Sequence, residues 1–138
     1  MPSFSSRSIS ILDTVDPALR DICYSVVKHY DIVVLSGFRG EEEQNRLVEE
    51  GKSKLVFPKS KHNQDRNGLP QLPCCAVDVV PYPIDWGDSK RFIFMAGMMF
   101  HAAHSIGVKL RWGGNWDGDD VIIDDQTFND LPHFELIG

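Results

Sequence analysis

Between Pro17 and Tyr30 the apolar residues Leu19, Ile22, Cys23, Val26, Val27 and Tyr30 recur at helical spacing. Asp16 in front of Pro17 supplies an N-cap and a first-turn proline, so the pattern predicts a helix. Ile32 to Leu35 is a short apolar, β-branched run that ends at Ser36-Gly37, which predicts a buried strand and sets Arg39 just beyond its end. Glu41 to Glu50 predicts an acidic-started helix stopped by Gly51, with Leu47 and Val48 as its apolar contact. Residues 57–73 are polar, with Pro58, Pro70, Pro73 and an Asn67-Gly68 turn signal, and predict a long loop. Long loops of this kind are more often functional than decorative. Ala76 to Val80 reads as a buried strand with a carboxylate, Asp78, in its middle; a buried carboxylate needs a partner. Asp88 or Ser89 caps a third helix that runs to Ile106 and closes at Gly107, and Val108 to Trp112 returns as a strand. His133 to Leu136 forms the last strand or its mouth. With no internal repeat or low-complexity stretch, residues 1–138 read as one α+β domain.

The composition fits this picture. At 138 residues, with 42% hydrophobic and 25% charged, the chain can hold a core without disulfide staples. Fourteen basic against twenty acidic residues give a net charge of −6 with no basic run, so nucleic acid is excluded as an expected partner. No apolar run reaches the roughly 20 residues that span a bilayer, and Met1 to Ser10 has no apolar h-region, so neither a membrane role nor a secretory signal is expected. Three cysteines, two of them adjacent (Cys74-Cys75), suggest a reducing compartment and buried free thiols.

Candidate chemistry gathers where loops meet strands. His62 in the long loop, Asp78 in its strand and His133 near the C-terminus are zinc-ligand types; two imidazoles and one carboxylate leave a tetrahedral position open, the catalytic pattern. Asp130 lies three residues before His133, placed to work as general base and acid beside such a metal. Each residue also has an ordinary alternative: a solvated surface histidine, a salt bridge from Asp78 to an arginine, a turn aspartate at 130. The residues alone reach no further than a zinc hydrolase.

Ser60-Lys61-His62, Ala76-Val77-Asp78 and Asp130-Leu131-Pro132-His133 together resemble the S-x-H, A-x-D and [DE]-x-x-H signature of zinc D-alanyl-D-alanine carboxypeptidases and phage L-alanyl-D-glutamate peptidases, including VanY-like phage endolysins. Ser36-Gly37-Phe38-Arg39 and Trp112-Gly113-Gly114-Asn115-Trp116 are similar to two further segments of that family, and Pro81 to Trp86 to its phage members. The resemblance covers about residues 34 to 135. It implies a Hedgehog/DD-peptidase-like α+β fold: a small, mostly antiparallel sheet with packed helices and a zinc cleft at its rim. It further implies that His62, Asp78 and His133 hold Zn2+, that Asp130 activates water, and that Arg39 stabilises the oxyanion, with a structural salt bridge as Arg39's alternative. Ser60 either touches substrate or holds the loop. Trp112 and Trp116 either line the substrate cleft or plug the core.

The implied activity is cleavage of a stem-peptide bond in bacterial peptidoglycan, L-alanyl-D-glutamate first, by a monomeric endolysin made in the host cytoplasm and released by a holin. The alternatives are a D-Ala-D-Ala carboxypeptidase or virion-associated wall peptidase, and a catalytically silent wall-binding or virion structural module. Sixteen positions separate His62 from Asp78, more than in close relatives, which marks an insertion around Asp65 to Cys75. Cys74 and Cys75 are secondary ligand candidates. His101 and His104, three apart on a predicted helix, can bind metal on one face, with one partly buried and one surface histidine as the alternative. Asn115, Asp117, Asp119 and Asp120 suggest a weak Ca2+ loop, with a solvated turn as its alternative.

Overall fold

The computed structural model describes residues 2–119, 122–124, 126 and 128–137. In chain order the elements are α1 (Ser6–Leu12), α2 (Pro17–Val27), β1 (Ile32–Ser36), α3 (Glu41–Glu49), a 3-10 turn (Lys61–Asn63), β2 (Ala76–Pro81), α4 (Ser89–Ser105), β3 (Lys109–Gly113) and β4 (Asp130–Ile137). The four strands form one sheet in the order β1-β2-β4-β3, with every pair antiparallel. This is the α+β fold expected from the sequence.

Helix α2 begins as its sequence dictates: Asp16 Oδ1 accepts from the Ala18 amide at 2.9 Å, and Leu19, Ile22, Cys23, Val26 and Val27 are buried. It packs with α4, whose Phe92, Met95, Ala96, Met99 and Ala103 are buried in the same core as Val77, Val79, Phe134, Leu136 and Trp112 of the strands. These strand residues alternate with Asp78, His133, Glu135 and Arg111, so the period-2 geometry of the strands sends the polar set to the opposite face of the sheet. That opposite face carries the site.

Helix α1 is not among the elements that the hydrophobic pattern predicts. It is serine-rich and buries only Ser8 and Leu12. Ser8 Oγ accepts from the Val34 amide at 3.2 Å, satisfying a donor on the edge strand β1 that would otherwise be free to pair with another chain. Helix α3 also differs. It ends as expected at Gly51, which takes φ 75°, but its buried residue is Gln44; Leu47 and Val48 are only partly covered. The 57–73 segment contains the 3-10 turn. Its second half is organised by Asp65, whose Oδ1 accepts from the Asn67 and Leu69 amides at 2.9 and 3.0 Å and whose Oδ2 accepts from Gln71 Nε2 at 2.7 Å.

Candidate active site

Register brings the site together. A bulge between Val34 and Ser36 sets Ser36 opposite Asp78, and Asp78 in turn lies opposite His133, so one row crosses three strands. The Ser36-Gly37-Phe38-Arg39 segment that leaves β1 is tied down at each residue. Ser36 Oγ accepts from Arg39 Nε at 3.2 Å, and the Phe38 amide donates to Thr14 Oγ1 at 3.0 Å. The Gly37 carbonyl accepts from His62 Nδ1 at 2.8 Å. His62 itself is aimed by a capping box: Ser60 Oγ accepts from the His62 amide at 3.2 Å, and Asn63 Oδ1 accepts from the Ser60 amide at 3.1 Å. Ser60 is therefore a loop-holding residue that also borders the cleft.

His62 Nε2, Asp78 Oδ1 and His133 Nδ1 form a triangle with sides of 3.2, 3.2 and 3.3 Å. The outer nitrogens of the two rings are committed. His62 Nδ1–H goes to the Gly37 carbonyl, and His133 Nε2–H goes to Glu135 Oε1 at 2.8 Å. These partners assign the tautomers and turn a lone pair from each neutral ring toward the Asp78 carboxylate. Three converging lone pairs repel unless a cation lies between them. Zinc bonds of about 2.0–2.1 Å make a tetrahedron with edges of roughly 3.3–3.4 Å, the size of this triangle. Among the described residues, this is the one such group that could hold a metal ion. Without a metal the same convergence shows in the acid-base properties. Burial opposes ionisation of Asp78, but His62 and His133 outweigh it and hold its carboxyl far below the usual carboxylate range. Burial likewise works against the His133 imidazolium, yet Asp78 and Glu135 bring its pKa up to about 9.

Arg39 donates from Nη2 to Asp78 Oδ2 at 3.1 Å, the oxygen turned away from the triangle, and so fixes the carboxylate's orientation. Its side chain is 16% exposed and borders the cleft. The salt bridge is thus present, and it leaves the guanidinium beside the His62-Asp78-His133 triangle. Asp130 sits at the start of β4 opposite Gly113, where a Cβ on Gly113 would run into the Asp130 carbonyl. Burial raises the Asp130 carboxyl above the ordinary carboxylate range, the Asp78 charge adds to this, and His133, His62 and Arg39 pull the other way.

These residues open onto a cleft of about 780 Å³. Trp116 lines it, stacked on Phe128 at 6.1 Å and tilted against His133 at 5.7 Å, with Arg111 over its ring at 5.0 Å. Trp112 does not line it. It is 2% exposed, stacks on Phe134 and donates from Nε1 to the Leu131 carbonyl at 2.7 Å, so it is the core plug of the two. Glu135 and Phe128 are among the residues of this region that the sequence motifs do not single out. Glu135 stands two positions after His133 on the same strand face, a period-2 relation that a strand at this position makes legible. Phe128 is 58% exposed and carries no spacing signal.

Other candidates fall away. Cys74 and Cys75 are buried free thiols whose Sγ atoms turn to the Ala76 and Lys61 carbonyls, and burial pushes Cys74 up to about 12. His101 and His104 are both exposed. Among the described residues the acidic loop does not assemble a calcium site. Asn115 Nδ2 donates to the Asp119 carbonyl at 2.8 Å, and Asp117 Oδ1 accepts from the Asp119 amide at 3.3 Å, both turn-closing bonds. Asn115 Oδ1 is buried without a partner, but calcium needs about six to eight oxygens and the described residues of the loop supply no such set. Asp120 lies outside the described residues.

A half-covered antiparallel sheet, a polar-face cleft and a His-Asp-His donor triangle with a half-buried acid beside it define a candidate metal-centred hydrolase. The comparisons with known proteins specify which. Residues 2–137 match the family model described as phage L-alanyl-D-glutamate peptidase, and the chain belongs to that family. The L-alanyl-D-glutamate peptidase of Escherichia phage T5 is 28% identical over 142 residues, covering 97% of each chain. The crystal structure of the Serratia marcescens L-Ala D-Glu endopeptidase ChiX superposes with a TM-score of 0.73 at 27% identity, covering 97% of this chain and 89% of that one. No helix among the described residues is long and apolar enough to cross a membrane.

Proposed function

We propose that this chain is a zinc peptidase of endolysin type that hydrolyses the L-alanyl-D-glutamate bond of the peptidoglycan stem. The observation that carries the metal-dependent reading is the convergence of His62 Nε2, Asp78 Oδ1 and His133 Nδ1, with both outer ring nitrogens already bonded. Family membership and the two relatives support the choice of bond. Held by those three residues, zinc would supply Lewis acidity and lower the pKa of a water.

The rest of the reaction falls to the chain's own groups. Asp130 takes a proton from the attacking water as its oxygen bonds to the alanyl carbonyl carbon. It then delivers that proton to the glutamyl nitrogen as the C–N bond breaks, leaving an alanyl carboxylate and a new glutamyl amine. A carboxyl raised by burial suits both halves of that transfer, because its proton affinity moves toward the working pH. Arg39, fixed by Ser36 and Asp78, offers its guanidinium to the carbonyl oxygen as negative charge develops there. Trp116 forms an apolar wall for the stem, and Ser60 contributes by holding His62.

Asp130→Ala tests this assignment. The wild-type protein generates new amino termini from peptidoglycan, and the variant binds zinc with the same stoichiometry but has lost turnover by at least about a hundredfold. Turnover retained in the variant overturns the role of Asp130.

A further inference from the structure

The cleft is basic in an acidic chain. Among the described residues six Lys or Arg and three Asp or Glu line it, whereas the whole sequence has 14 against 20. Lys52, Lys54, Lys59 and Lys61 come from one ten-residue segment, folding sets Arg39 and Arg111 beside them, and a cleft with an excess of one sign focuses its field on what enters. Four of the six act on a carboxylate. Arg39 is bonded to Asp78, Lys52 pairs with Glu50 at 3.1 Å, and Arg111 and Lys61 both act on Glu135. Lys54 and Lys59 have no acidic partner among the described residues; Lys54 Nζ stands 6.0 Å from the centre of the Phe128 ring.

The segment that carries these two lysines is built, not loose. Gln44, fully buried, donates from Nε2 to the Leu55 carbonyl at 2.6 Å and to Ser53 Oγ at 3.0 Å. Asn45 Oδ1 accepts from the Phe57 amide at 3.0 Å, and the Lys59 amide donates to the Val56 carbonyl at 2.8 Å. The backbone beneath both ammonium groups is therefore set before a ligand arrives, which lowers the entropy cost of using them.

An L-alanyl-D-glutamyl substrate carries a matching charge. Its glutamyl nitrogen is in the scissile bond, and only one of its two carboxyl groups can carry the chain onward. The other is a free carboxylate on the residue whose nitrogen the reaction releases. We infer that Lys54 and Lys59 form the subsite for that free glutamyl carboxylate, so that the cleft selects stems in which it is ionised over stems in which it is an amide. This rests on the L-alanyl-D-glutamate reading above.

The test uses two synthetic stem peptides that differ only in whether this glutamyl group is a carboxylate or a carboxamide. The zinc-loaded wild-type protein is expected to prefer the carboxylate in kcat/KM by at least about fivefold, the upper range for an exposed charge pair. In the Lys54→Gln/Lys59→Gln variant the ratio should collapse toward one. Both residues are exposed; should the double variant not fold, the two single variants should each lower the ratio. Equal wild-type rates on both peptides overturn the inference and leave the peptidase reading intact. A preference that survives removal of both lysines overturns it as well. If neither peptide is cleaved, the peptidase reading falls, and this inference with it.

Discussion

His133 donates from Nε2 to Glu135 Oε1 across 2.8 Å, two residues along the same strand, and this bond decides which ring nitrogen faces Asp78 and His62. A carboxylate behind a ligating imidazole fixes its tautomer and strengthens it as a donor; removing such a partner typically weakens metal binding about 10–100-fold. Glu135→Ala should therefore lose zinc affinity by about that factor, measured by competition with a chelating indicator. Glu135→Gln, which keeps an acceptor but not the charge, should lose less. Unchanged affinity in both would mean that Glu135 does not position His133.

Gly113 is the second structural constraint on the site. Because a Cβ there meets the Asp130 carbonyl, Gly113→Ala forces the start of β4 to shift. The expected cost is about 1–3 kcal/mol of stability, as for other overpacked positions. Turnover should fall while zinc stoichiometry is kept, since His62 and Asp78 come from other segments. A variant with full activity and an unchanged melting temperature would show that Asp130 needs no such close approach.

The metal-free protein should have a distinctive pH dependence. His133 gains its proton more readily folded than unfolded, with a pKa of about 9 against an ordinary 6.5. Its contribution to stability is complete below the ordinary value and is lost as pH rises through about 9. Asp78 is shifted the other way, so its contribution is present above the ordinary carboxylate range and is lost only in strong acid. Thermal melting of chelator-treated protein should thus decline from about pH 7 to pH 10. With zinc in place of the proton that decline should be much smaller. Parallel curves with and without zinc would contradict this.

The parts of the fold that depend on local pattern were legible. Asp16-Pro17 and the spacing from Leu19 to Val27 specify α2, and the run at Ile32 specifies β1, because caps and periodicity act over a few residues. Helix α1 was not legible, since its role is to satisfy one edge amide through Ser8 rather than to bury an apolar stripe. Gln44 shows the same limit: it is buried for its hydrogen bonds, while Leu47 and Val48, the apolar choices, remain partly exposed. At the site, the three metal-ligand types and Asp130 could be named from motifs. The row Ser36-Asp78-His133 could not, because it depends on a bulge near Leu35 and a strand order that pairs β2 with β4. Lys52, Lys54, Lys59 and Lys61 stand close together in the sequence within a net charge of −6, but their place in a cleft with Arg39 and Arg111 depends on the fold. Trp112 and Trp116 share one motif, and the turn between them sends one to the core and the other to the cleft.

The most direct measurement of the central claim is mass spectrometry of purified peptidoglycan incubated with the protein, before and after chelation and after zinc is restored. The account predicts new D-glutamate amino termini that disappear with the chelator and return with zinc. Release of terminal D-alanine instead would move the activity to a different bond of the stem. Unchanged sugar-peptide fragments from zinc-loaded protein would contradict the account outright.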